Sequence, residues 1–129
     1  MSNPGPDPAV VERWLQAARA DLAYAEMTPP VGVGYEQACF HAQQAAEKAL
    51  KALLLHYDQE PPYVHNIQVL LDRLAAYEPN IGEIAGSAAL TSHAVLTRYP
   101  SSEEPVAVDE WKLAAALALQ VVEWVSHRV

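Results

Sequence analysis

Apolar residues return at three- and four-residue steps along most of this chain, and clusters of Pro and Gly cut the pattern into separate segments. Asp7-Pro8 reads as an N-cap followed by proline at the first helical position. From there Val10, Trp14, Ala17, Ala18, Asp21, Leu22 and Ala25 predict an amphipathic helix ending before Thr28-Pro29-Pro30-Val31-Gly32-Val33-Gly34. A second helix runs from about Tyr35 to Tyr57, rich in Ala, Gln, Glu, Lys and Leu. Two neighbouring rows, Ala38/Ala42/Ala46/Leu50/Leu54 and Cys39/Ala45/Ala49/Leu53, give it a wide apolar face of mostly small residues that lets a partner helix come close. Glu36, His41, Gln44, Glu47, Lys48 and Lys51 occupy its other side, and Gln59-Glu60-Pro61-Pro62 ends it.

A third helix begins near His65-Asn66 and buries Ile67, Leu70, Leu71 and Leu74. A fourth opens at Asn80, with Glu83 completing a capping box, and runs towards Leu96 until Pro100 and the loop Ser101 to Val106 stop it. A fifth starts after Asp109 and carries Trp111, Leu113, Leu117, Val121, Trp124 and Val125. Its remaining faces hold Ala114, Ala115, Ala118, Leu119 and Val122, so it is expected to be deeply central or covered by another chain. No segment shows the alternation of a strand. The pattern predicts an all-α, antiparallel up-and-down bundle of about five helices.

Length and composition narrow this picture. At 129 residues, 51% of them hydrophobic, the chain makes one domain over residues 1–129, with 1–6 as a flexible lead. No stretch approaches the roughly 20 apolar residues of a membrane span. The first eight residues lack both the basic residues and the apolar run of a targeting segment, so a cytoplasmic protein is expected. Cys39, the one cysteine, excludes an internal disulfide and reads as a small buried hydrophobe. A net charge of −8 argues against extended nucleic-acid binding, while leaving room for a small basic pocket. The five histidines are scattered without paired ligand spacing, so no metal site and no cofactor are expected.

The run Tyr35 to Leu54, with Gln43-Gln44-Ala45-Ala46-Glu47-Lys48-Ala49-Leu50-Lys51 at its centre, closely resembles the second helix of HEPN domains. These are small helical bundles whose name refers to nucleotide binding in prokaryotes and higher eukaryotes. Trp14 to Leu22 resembles the family's opening helix, His65-Asn66-Ile67 with Leu70-Leu71 its third-helix start, and Arg98-Tyr99-Pro100 the short motif before its last helix. The resemblance covers nearly the whole chain from about residue 10. It implies a homodimeric bundle, often encoded beside a minimal nucleotidyltransferase and acting with it as a toxin–antitoxin pair. Some members are metal-independent ribonucleases; others bind nucleotides or serve as partner modules.

The ribonuclease branch uses an Arg followed, after four to six residues, by a His. The His moves a proton at the ribose hydroxyl or leaving oxygen, and the Arg grips the scissile phosphate. None of Arg13, Arg19, Arg73, Arg98 or Arg128 has a His at that distance. His93 and Arg98 have the gap in reversed order, and Lys51 and His56 have it with Lys in place of Arg. The motif's absence favours a non-catalytic module. If the protein is a ribonuclease with a degenerate site, His93 and Arg98 are its candidate catalytic residues; a structural helical adaptor is the third reading. Gln44, Lys48 and Lys51, with His41 one step earlier, form a stripe that Arg98 and Tyr99 could complete as a nucleotide-binding pocket. The plainer alternative is an i,i+4 ion pair of Glu47 and Lys51 on a solvated face. His65 is expected to start the third helix, with Asn66 or His65 itself capping.

Overall fold

The computed structural model describes residues 5–92 and 105–129. Among them the regular elements are α1 (Pro8–Glu26), α2 (Glu36–His56), α3 (Ile67–Leu74), a 3-10 segment (Ile81–Ala88) leading into α4 (Ala89–Ser92), and α5 (Val108–Ser126). The all-helical bundle expected from the pattern is the fold observed.

Helix α1 starts as its sequence dictates. The Asp7 carboxylate accepts from the Ala9 N–H at 2.9 Å, and Pro8, which has no N–H to satisfy, takes the first helical position. The face it buries is Val11, Leu15, Ala18, Asp21, Leu22 and Ala25. In its first turns this is one residue away from the expected row, and Val10, Trp14 and Ala17 are only half-buried. Both rows are apolar, so periodicity leaves the choice open and packing makes it.

Helix α2 is the centre of the molecule, with α1 along one side and α5 and α3 around the rest. Both predicted apolar rows are buried, Cys39 included. Ala42, Ala45, Ala46, Ala49 and Ala52 are wholly inaccessible, so the neighbouring helices close on the α2 backbone itself. Burial also takes in Gln43, Glu47 and Lys51, which corrects the expectation of a solvated ion pair on this face. The cause is the segment leading into α3, which packs over that row.

The last helix, expected to be deeply central or covered by another chain, does not take the first of those places. Helix α5 buries Ala114, Ala118, Val121, Val122 and Val125, but leaves Leu113 57% and Val108 40% exposed. It is therefore not the central helix; α2 fills that place, and the surplus apolar surface of α5 faces outward. It begins at Val108, just before the predicted start, with Glu110 reaching back to the Ala107 N–H at 3.1 Å. The Trp111 indole donates to the Ala25 carbonyl at 2.6 Å and its rings stack on Tyr35, tying α5 to the α1–α2 hairpin.

The expected fourth helix is reshaped. Gly82 and Gly86 weaken an α-helix here, and Ile84 leaves helical geometry at φ −116°. Asn80 makes no side-chain cap, so the predicted capping box does not form. Glu83 instead accepts from the Trp124 indole at 2.9 Å, anchoring the segment to α5. The stretch of that prediction beyond Ser92, and the stop at Pro100, lie outside the described residues. No helix of the described residues is long and apolar enough to cross a membrane.

One tertiary network had no counterpart in the sequence reading. Glu78, 7% exposed, receives the Arg128 guanidinium on Oε1 at 2.9 Å and the Tyr57 hydroxyl on Oε2. Arg128 also lies over the Trp124 ring, 3.3 Å from its centroid, and Tyr57 stacks on Tyr77. Burial pushes the Glu78 carboxyl up, but the Tyr57 hydroxyl and Arg128 outweigh it and hold the group below its ordinary range. The same hydrogen bond, with burial and the Glu78 charge, raises the Tyr57 phenol.

Candidate functional site

The polar stripe of α2 divides into two clusters. Its first part meets α1. Asp21, on the buried face of α1, accepts from Lys48 Nζ on Oδ2 at 2.6 Å and from His41 Nδ1 on Oδ1 at 2.8 Å. A carboxylate can only accept, which assigns the His41 proton to Nδ1. Tyr24 stacks on the His41 ring at 5.0 Å between centroids, and Phe40 meets it edge-on. Gln44 is half-buried on the same helix.

Two depressions border this cluster. One, about 310 Å³, runs beneath the α1–α2 loop and is lined by Tyr24, Met27, Pro30, Val33, Gln37 and His41 among others. The other, about 300 Å³, is lined by Val10, Arg13, Trp14, Ala17 and Lys48. An aromatic ring thus sits in each, with the Asp21-paired His41 and Lys48 between them.

The second cluster faces the start of α3. Glu47, 3% exposed, accepts on Oε1 from Lys51 Nζ at 2.9 Å and from His65 Nδ1 at 2.9 Å. Its Oε2 has no hydrogen-bond partner among the described residues. Gln43 donates to the His65 carbonyl at 3.1 Å; Thr91 donates to the same carbonyl at 3.2 Å and accepts from the Ile67 N–H. Asn66, rather than His65, caps α3 through the Gln68 N–H.

His41, Gln44 and Lys48 therefore share one face, whereas Lys51 turns away from them onto Glu47. His56, which had the ribonuclease gap from Lys51, is exposed at the end of α2 beside Tyr57. His93, Arg98 and Tyr99 lie outside the described residues. Among the described residues no group of three His, Cys, Asp or Glu is placed to hold a metal ion. Asp21, Tyr24, Trp14 and Gln43 were missed as site residues. Asp21 carried a legible signal, a carboxylate on an otherwise apolar helix face; the other three become visible only when the helices meet.

A bundle with this element order and an Ala-lined central helix is the setting in which the comparison with known families is decisive. The family model described as HEPN domain matches residues 11–128. The chain belongs to the HEPN domain family. No curated protein and no solved structure matches it. In this HEPN domain a single helix builds both polar clusters, since His41, Lys48, Glu47 and Lys51 all project from α2.

Proposed function

We propose that this HEPN domain works by association rather than by catalysis: it dimerises and acts with a nucleotidyltransferase partner, in the manner of a toxin–antitoxin pair, with a nucleotide as its candidate ligand. The observation that carries this reading is that the two lysines of the α2 stripe are already committed. Lys48 is 2.6 Å from Asp21, and Lys51 is 2.9 Å from a buried Glu47. A cleavage site needs a cation unencumbered enough to follow charge as it develops on phosphate. Here each ammonium would first have to leave a carboxylate. The missing Arg–His spacing points the same way.

Exposed apolar side chains support association. Leu113 and Val108 on α5, and Tyr24, Met27, Val33 and Phe40 around the α1–α2 hairpin, are all 40% or more accessible. A nucleotide would find ring partners in the Tyr24–His41 stack and a polar partner in Gln44, with Lys48 joining them only on leaving Asp21, and Arg98 and Tyr99 as the remaining candidates. A ribonuclease acting through His93 and Arg98 is the competing reading.

Three measurements test the proposal. Co-expression with a minimal nucleotidyltransferase should yield a co-purifying complex, and light scattering of this protein alone should give twice the monomer mass at micromolar concentration. Cleavage of a mixed-sequence RNA in EDTA, lost in the His93→Ala/Arg98→Ala variant, would make the protein an enzyme and overturn the reading.

A further inference from the structure

Among the described titratable side chains, His65 combines two properties that seldom occur together. Its side chain is 79% exposed, yet it is held on a carboxylate that is 4% exposed. Its backbone is fixed as well, since Gln43 and Thr91 both donate to the His65 carbonyl. A surface imidazole otherwise samples several rotamers; this one is pinned at both ends. Because Glu47 can only accept, Nδ1 carries a proton, so in the neutral ring the lone pair is on Nε2 of this exposed side chain. Lys51, on the same Glu47 oxygen, balances the carboxylate charge.

A proton-free ring nitrogen, oriented by a carboxylate at the opposite nitrogen, is the arrangement of an activated nucleophile. Its surroundings favour an anionic electrophile. His65 immediately precedes the Asn66 cap of α3, so it stands at that helix's positive end. An open depression next to the His65 backbone, lined by Asn66, Thr91, Ala85, Gly86 and Ala88 among others though not by the His65 ring, has room for a tetrahedral group.

We propose that His65 is a phosphoryl-acceptor site, with Glu47 as its positioning residue. The Nε2 lone pair attacks the phosphorus of an acyl phosphate or phosphoramidate, a P–N bond forms, and the bond from phosphorus to the carboxylate or ammonia leaving group breaks. The ring keeps its proton on Nδ1, where Glu47 stabilises the imidazolium that results. The site makes the protein a substrate for group transfer and does not depend on the reading given under Proposed function.

The test is to treat the folded protein with potassium phosphoramidate at neutral pH and follow each histidine by mass spectrometry under acid-free conditions. His65 should be phosphorylated at least tenfold faster than His56 and His127, which are also exposed. The His65→Asn variant should lose that fast phase alone, and Glu47→Gln should slow it to the rate of His56. Because Glu47→Gln disturbs a buried pair, ¹⁵N NMR of the wild-type imidazole provides a second criterion: the Nδ1–H tautomer is expected. Equal rates at His65 and His56, or a predominant Nε2–H tautomer, would overturn the proposal.

Discussion

Replacing Lys51 by Met is the sharpest test of how α2 carries its polar residues through the core. Methionine keeps most of the unbranched stem, so the cavity term is small and the change isolates the ammonium. The Glu47 side chain is 4% exposed and the Lys51 side chain 10%, which places the pair among buried ion pairs rather than surface ones. Removing one member of such a pair leaves an uncompensated charge and costs about 3–5 kcal/mol. His65 still donates to Glu47 after the substitution, so the lower end, about 3 kcal/mol, is expected. With an unfolding entropy of about 2.1 cal/mol/K per residue over 129 residues, Tm should fall by roughly 11 °C. Urea unfolding followed by circular dichroism at 222 nm measures the loss directly. The Glu47→Gln/Lys51→Met double variant should recover most of it, since the orphaned charge is then gone. A loss below about 1 kcal/mol in the single variant, or strict additivity in the double, would refute the claim that Glu47 is electrostatically buried.

Ala46→Leu inserts three carbons where α2 is wholly inaccessible, and should cost at least 1–3 kcal/mol, roughly, by urea titration. Trp111→Phe removes the indole donor to the Ala25 carbonyl and should cost about 1 kcal/mol in the same assay. The Glu78 carboxyl is held below its ordinary range, so its stabilising effect is complete above about pH 4.3 and fades as the pH falls through its lowered value. Acid titration of stability should therefore show wild type converging on Glu78→Gln at low pH. At the alkaline end the raised Tyr57 phenol acts in the opposite sense: its contribution is whole below about pH 10 and lost as pH rises past its folded value, so Tyr57→Phe should flatten that limb.

Helix existence and type were readable because these segments are long, strongly periodic and bounded by Pro, Gly and good caps. Asp7-Pro8 and Asn66 cap as expected, and both apolar rows of α2 are buried. What periodicity could not rank was one apolar row against its neighbour, or one apolar helix against another. Val10/Trp14/Ala17 and Val11/Leu15/Ala18 look alike as strings. The chain also contains two helices apolar enough to be central. Alanine decides between them: a helix of small side chains admits neighbours on every side, whereas the Leu and Trp of α5 hold them off. The 3-10 segment reads as an α-helix in sequence because the Asn80/Glu83 spacing imitates a capping box, while in the fold Glu83 is engaged by Trp124.

The polar residues show the same division. The histidine, lysine and glutamine types that populate both clusters were identifiable along α2, and so was the missing ribonuclease spacing. Their partners were not, because Asp21 lies 27 positions from Lys48 and His65 lies 18 from Glu47. The sequence by itself determined the long helices α1, α2 and α5 and the caps of α1 and α3, since these depend on contacts within a few residues, and its α2 segment already resembled the HEPN type. Only the tertiary structure decided that Glu47 and Lys51 are buried, that the α2 stripe splits, and that Arg128 closes on Glu78. Each of those depends on which helix lies against which, and hence on how closely small side chains let two backbones approach.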